Sequence, residues 1–320
     1  MNNLEKASLS CQQIVDAVRK VFVGDELIIR KLLAAAMANG HVLFEDYPGL
    51  GKTLLAKVFT RVIGCNYGRV QFTPDLLPAD ITGGKIWRPQ DGRFELIKGP
   101  IFTNVLLADE INRTPPKTQA ALLEAMEERQ VTIEGETLAL EMPFFVLATQ
   151  NPIEQEGTYP LPEAQLDRFV VKLSMGYPST VEQETTILKR RVNWRKDDPS
   201  VDVAPVITQT EFLALQAMAE NAIYIDDSIL EYVSKIVRAT REHKRIEIGS
   251  SPRGALSLLK LSRCLAVIYG RDFVIPDDIK ALAVPVLAHR LFLTTEARLR
   301  GKTDEAVIAE IIEETVVPIA

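Results

Sequence analysis

Residues 43 to 53 read Leu-Phe-Glu-Asp-Tyr-Pro-Gly-Leu-Gly-Lys-Thr, and they carry the clearest chemistry in the chain. An apolar strand at 42 to 44 gives way to a turn at 47 to 51. Lys52-Thr53 then open the apolar helical run Leu54, Leu55, Val58, Phe59. This strand, loop and helix order is what a phosphate-binding loop requires. The segment Pro48, Gly49, Leu50, Gly51, Lys52, Thr53 and Leu54 points successive backbone N–H groups inward and presents the positive end of a helix. Lys52 is placed to reach the β/γ-phosphates and the Thr53 hydroxyl to bind Mg²⁺, so a nucleoside triphosphate is the ligand this arrangement suits. The generic pattern asks for glycine where this chain has Asp46; Gly49 and Gly51 remain to take positive φ or admit phosphates closely.

Further along, the run 104 to 110, Asn-Val-Leu-Leu-Ala-Asp-Glu, is a buried-strand pattern ending on two carboxylates. An apolar parallel strand that stops on acids sets them at the carboxyl edge of the sheet, where open α/β folds bind ligands. Asp109 is then the Mg²⁺-side acid and Glu110 the base that orients an attacking water. A helix N-cap or a solvated turn accommodates an Asp-Glu pair equally. Another apolar strand, 144 to 148, leads to Asn151 at the same edge, where its amide can hold the γ-phosphate and the water; an Asn-Pro turn is the plainer reading.

Two arginines complete the set. Arg168 immediately precedes the strand 169 to 174, and a residue that starts a parallel strand lies about 17 to 20 Å from that sheet's own crevice. It is better placed to serve a neighbour's nucleotide as an arginine finger, or else to pair with Asp167 or Glu163. Arg253 follows Ser251-Pro252, a helix N-cap and first-turn pair, and a cation in the first turn is disfavoured unless an anion is near. That places Arg253 toward the nucleotide across a domain cleft.

The elements that must position these groups are legible from periodicity. An amphipathic helix spans 3 to about 21, Val23-Gly24 break it, and helix resumes from 25 to 39. The Val23-Gly24 turn can supply an apolar wall for the base, or simply close the core. Strand 69 to 72 follows the loop helix. Segments 85 to 88 and 93 to 97 flank a hairpin turn, a helix starts at 115–116 and runs to 128, and a second hairpin covers 131 to 140. A helix at 163 to 166 and another at 180 to 191 complete a first domain, residues 1–192. A polar segment, 193–204, reads as a linker. Residues 205–320 keep the 3.6 period without strand alternation and form a second, helical domain.

Composition bounds the function. With 43 acidic and 37 basic residues the net charge is −6, and no strongly basic tract argues for nucleic acid. Cys11, Cys65 and Cys264 lie far apart without metal-ligand spacing, which fits a reducing cytoplasm. No export signal or membrane-spanning run is expected.

Taken in order, Lys52-Thr53, Asp109-Glu110, Asn151, Arg168 and Arg253 resemble the motifs of an AAA+ ATPase. Residues 45 to 49, 108 to 113, 148 to 152 and 161 to 169 narrow the resemblance to the MoxR family. It implies a fold, a parallel P-loop sheet flanked by helices (α/β AAA+ core) with a C-terminal all-α lid. It also implies roles, with Lys52 and Thr53 as Walker A, Asp109 and Glu110 as Walker B, Asn151 as sensor 1, Arg168 as arginine finger and Arg253 as sensor 2. ATP and Mg²⁺ are the implied ligands. A homo-oligomeric, hexameric ring acting as a chaperone with a von Willebrand factor A domain partner, sometimes inserting metal cofactors, is the implied activity. Two alternatives are a DNA-translocating motor and a nucleotide-gated scaffold without turnover. The second hairpin carries Glu134, Glu136 and Glu141 against Arg129, which disfavours the motor; the presence of both Walker B acids disfavours the scaffold.

Overall fold

The structure, a computed structural model, describes residues 3–152 and 158–318. It opens with helices α1 (Asn3–Val21) and α2 (Glu26–Met37). Asp25 caps α2 by accepting the Leu27 N–H at 2.9 Å. The nucleotide-binding half then runs β1 (His41–Glu45), α3 (Lys52–Val62), β2 (Tyr67–Gln71), α4 (Pro78–Thr82), β3 (Gly83–Arg88), β4 (Arg93–Lys98) and β5 (Val105–Asp109). It continues with α5 (Pro116–Glu128), β6 (Gln130–Ile133), β7 (Glu136–Ala139), β8 (Phe145–Gln150), α6 (Glu163–Leu166), β9 (Phe169–Leu173) and α7 (Val181–Trp194). The remainder is α8 (Gln209–Asn221), α9 (Asp227–Glu242), β10 (Ile246–Ile248), α10 (Pro252–Ile268), α11 (Pro276–Leu287), β11 (Phe292–Leu293), α12 (Thr295–Leu299) and α13 (Asp304–Glu314).

Five strands form one parallel sheet in the order β2-β5-β8-β1-β9. Alternation along each strand feeds two cores. Val42, Phe44, Phe145 and Leu147 face one side, while Leu43, Val146 and Ala148 face the other. The first side is covered by α1 to α3 together with the C-terminal helices in a single apolar cluster. The second is covered by α5 and residues of the two hairpins, β3-β4 and β6-β7. A parallel sheet buried on both faces leaves only its strand ends for chemistry, and the register aligns Glu45 with Gln150 and Gln71 with Asp109 along one edge.

The C-terminal region is helical, as the periodicity implies, with one addition: β10 and β11 pair as a short antiparallel ribbon. Strands of two and three residues are too short to show alternation. The polar segment at 193–204 is also more than a tether. Helix α7 extends through Trp194, and a 3₁₀ turn at Pro199–Asp202 docks on α3, with Lys57 bonded to Asp198 at 2.5 Å and Ser200 buried. Proline and aspartate there cap that turn; they do not mark free chain.

Candidate active site

Gly49 and Gly51 both adopt φ 85°, a conformation that costs glycine nothing and lets the loop curl over the end of β1. Gly51 is the N-cap of α3 and supplies no side chain, so no side-chain cap answers the first-turn N–H groups of that helix. Lys52 folds back, its Nζ donating to the carbonyls of Asp46 at 2.7 Å and Tyr47 at 3.2 Å. Burial lowers the lysine's pKa, and Asp46, Asp109 and Glu110 act in the opposite direction. A polar cleft of about 450 Å³ opens above the loop, lined by Pro48, Gly49, Leu50, Gly51, Lys52, Thr53 and Leu54, and also by Asp109, Glu110 and Asn151. Residues more than a hundred positions apart in sequence therefore meet at one sheet edge.

The acids are held by a relay. The Glu110 N–H donates to the Thr149 hydroxyl at 2.8 Å, and that hydroxyl donates to Asp109 Oδ1 at 2.7 Å. Arg69 donates to the other Asp109 oxygen at 2.8 Å. Glu110 sits at φ 58°, a strained setting for a residue with a Cβ, and its Oε2 accepts from Gln71 at 2.9 Å and Arg113 at 2.8 Å. The backbone carbonyl of Asn151 accepts from Asn112 at 3.2 Å, which fixes the turn after β8.

Thr53 and Asp109 offer only hard oxygen donors to a shared cleft, the donor set suited to Mg²⁺, which keeps waters and takes its remaining ligands from a phosphate. Among the described residues no cluster of three or more His, Cys, Asp or Glu side chains exists that could hold a metal without such a ligand.

Beside the polar cleft lies a larger one of about 750 Å³, sharing Gly49, Leu50, Gly51 and Leu54 with it. Val23 and Gly24 line it, on the loop side where a base would extend, together with Phe22, Met175, Tyr177 and Trp194. The last three were not singled out from the sequence; an aromatic or methionine in a loop carries no signal until topology brings that loop across from residue 23.

Arg168 and Arg253 lie outside both clefts of their own chain. Arg168 immediately precedes β9, whose first residue pairs with the first of β1, so it belongs to the opposite sheet edge. Its guanidinium pairs with Glu127 at 3.0 Å and donates to the Leu123 carbonyl. Asp167, one alternative partner, instead takes Arg290 at 2.7 Å. The place of Arg253 in a first turn calls for an anion, and the sequence points to a nucleotide across the domain cleft. The anions present are Glu127 at 3.0 Å and Asp167 at 3.8 Å, so the two arginines share one carboxylate.

Lysine, hydroxyl and paired acids gathered over a glycine loop on a parallel sheet define a P-loop ATPase of the AAA+ class. The comparisons agree: residues 41–171 match the model of the ATPase family associated with various cellular activities, and 238–311 match the AAA lid domain. An uncharacterised Bacillus subtilis protein, YeaC, is 49% identical over 95% of this chain and 94% of its own length. The chaperone MoxR1 of Mycobacterium tuberculosis is 40% identical, covering 96% of this chain and 82% of its own. A solved crystal structure from Cytophaga hutchinsonii, provisionally named an ATPase, superposes with a TM-score of 0.90 at 39% identity over 98% of both chains. The chain belongs to the MoxR family of AAA+ ATPases.

Proposed function

We propose that the protein hydrolyses ATP and uses the cycle to remodel or activate a partner protein complex. The observation that carries this reading is the convergence of loop amides, Lys52, Thr53, Asp109, Glu110 and Asn151 on one polar cleft. In it the loop and the N-terminus of α3 seat the phosphates, Lys52 leaves its carbonyl partners for the β/γ-oxygens, and Glu110 orients the water for in-line attack. Asn151 positions that water and the γ-phosphate. Thr53 and Asp109 would hold Mg²⁺, which when bound would supply charge neutralisation across the phosphates.

Among the described residues that line the cleft the cations are Lys52 and Lys57, the latter paired with Asp198, and none is an arginine. Arg168 sits at the other edge of the sheet beside Arg253, which supports a homo-oligomeric ring, hexameric as the family resemblance implies, in which one subunit's arginines complete the next subunit's site. The relative named as a chaperone supports remodelling as the output; a von Willebrand factor A domain protein as partner and metal-cofactor insertion as one outcome are what the family resemblance implies. The cytoplasm is the proposed compartment, and no described helix is long and apolar enough to cross a membrane. A DNA motor is not favoured, because Lys85 of the exposed β3-β4 hairpin pairs with Glu136 at 3.2 Å and Arg88 with Glu95 at 2.5 Å.

The test is Glu110→Gln. It is expected to bind ATP within about threefold of the parent while turnover falls about a thousandfold, the range for loss of a general base. Trapped with ATP, it should retain a von Willebrand factor A domain protein in a pull-down. Near-parental hydrolysis would remove the assignment of Glu110.

A further inference from the structure

Asp46 stands where the generic loop has glycine, and it is buried at 5% exposure. Its carboxylate accepts three hydrogen bonds from three consecutive residues of the loop after β9. These are the Ser174 hydroxyl at 2.7 Å, the Met175 N–H at 2.8 Å and the Gly176 N–H at 3.3 Å. The next residue repeats the link, since the Tyr47 ring stacks on Tyr177 with centroids 6.2 Å apart and planes 26° from parallel. Residues 174 to 177 form one wall of the 750 Å³ cleft. The same residue also lines the 450 Å³ cleft, where its carbonyl accepts from Lys52 Nζ at 2.7 Å. A buried carboxylate with its lone pairs used in this way is a fixed strut; removing it leaves the half-buried Met175 N–H without this partner and hands the donors of the exposed Ser174 and Gly176 to solvent.

Resting on the ATPase reading, we propose that Asp46 is a positioning residue that clasps the base-side wall to the phosphate loop, so that affinity for the nucleoside depends on it and affinity for the phosphates does not. Glycine at this position would leave the wall untethered. With aspartate, the span between triphosphate seat and base wall is set before the nucleotide arrives, which removes an ordering cost from binding.

The chain has two tryptophans, and Trp194 lines this cleft while Trp87 lies on the exposed hairpin. In a Trp87→Phe background, Trp194 fluorescence therefore reports occupancy of the base side, and competition with inorganic tripolyphosphate reports the phosphate side. Asp46→Ala is expected to weaken ATP about tenfold, the effect of losing one charge-assisted set of hydrogen bonds. Its tripolyphosphate affinity should not fall, because the loop amides are untouched and the variant only removes a negative charge near Lys52. Asp46→Asn, which keeps one oxygen for the Met175 N–H, should recover part of the loss, and KM for ATP should rise more than kcat falls.

Ser174→Ala cuts the same link from the other side and should shift ATP in the same direction by a smaller factor. It decides the matter if Asp46→Ala does not fold. Parallel weakening of both ligands, or of neither, overturns the clasp. Failure of the unsubstituted protein to bind ATP would instead overturn the ATPase reading, so the two failures are distinguishable.

Discussion

At the scale of single residues, the site depends on groups whose charge is held in place by short bonds. Lys52 is half-buried, and two of its three donors go to two loop carbonyls, so it is poised for transfer to phosphate oxygens. Lys52→Ala should weaken ATP about a hundredfold, the worth of hydrogen bonds to a charged partner, as measured by titration calorimetry. Thr149 tests the relay. Its hydroxyl is the one atom joining the Glu110 backbone to the Asp109 carboxylate, so Thr149→Val should leave ATP affinity near that of the parent and lower kcat about tenfold. An equal loss in affinity and kcat would mean that the hydroxyl holds ligand and not the acids. The strand-terminal acids and the lysine are legible in the sequence because each motif is contiguous with the element that aims it. Thr149 is not legible. A threonine in a β-run is ordinary, and only the parallel pairing of β5 with β8 sets it against Asp109.

At the scale of elements, α5 and the starts of β9 and α10 meet at Glu127, which holds Arg168 and Arg253 at 3.0 Å each. All three side chains are partly exposed, so these pairs contribute little to stability, and Arg168→Ala should shift the unfolding free energy by less than about 1 kcal/mol. Its effect on turnover should be far larger, approaching a thousandfold for a finger supplied in trans. Subunits carrying Arg168→Ala, mixed with subunits impaired by Glu110→Gln, should regain part of the activity, since some interfaces then combine an intact acid with an intact arginine. Absence of any rescue would count against a shared site. The strands and the helical lid follow from apolar period and turn residues, which act locally. The docking of 199–202 on α3 and the β10-β11 ribbon are tertiary effects, fixed by Lys57 and by a neighbour some forty residues away in sequence, and no local pattern encodes them.

At the scale of the whole molecule, two buried histidines stitch layers together in a form that cannot accept a proton cheaply. His41 accepts the Val146 N–H at 2.9 Å through Nδ1 and donates from Nε2 to the Met126 carbonyl at 3.0 Å, joining β1, β8 and α5. Burial, with Arg129 adding to it, pushes its pKa down to about 3. His289 donates to the Phe169 carbonyl at 3.0 Å, joining the lid to β9, and burial followed by the charge of Arg290 lowers it well below the ordinary value. Both folded values lie below the unfolded one of about 6.5, so the unfolded chain binds protons that the native chain refuses. Their contribution is therefore fully present above pH 6.5 and is lost as pH falls through and below it. At pH 5.5 the refused proton costs on the order of 1 kcal/mol at His41, and His289 adds to the loss in the same direction, in a window above the range where most carboxylates titrate. Urea unfolding at pH 7.5, 6.5 and 5.5 should show this loss, and His41→Asn should remove part of the slope whatever it does to absolute stability. An unchanged slope in that variant would mean that the proton enters elsewhere, and that the seam between β1, β8 and α5 does not depend on a neutral imidazole.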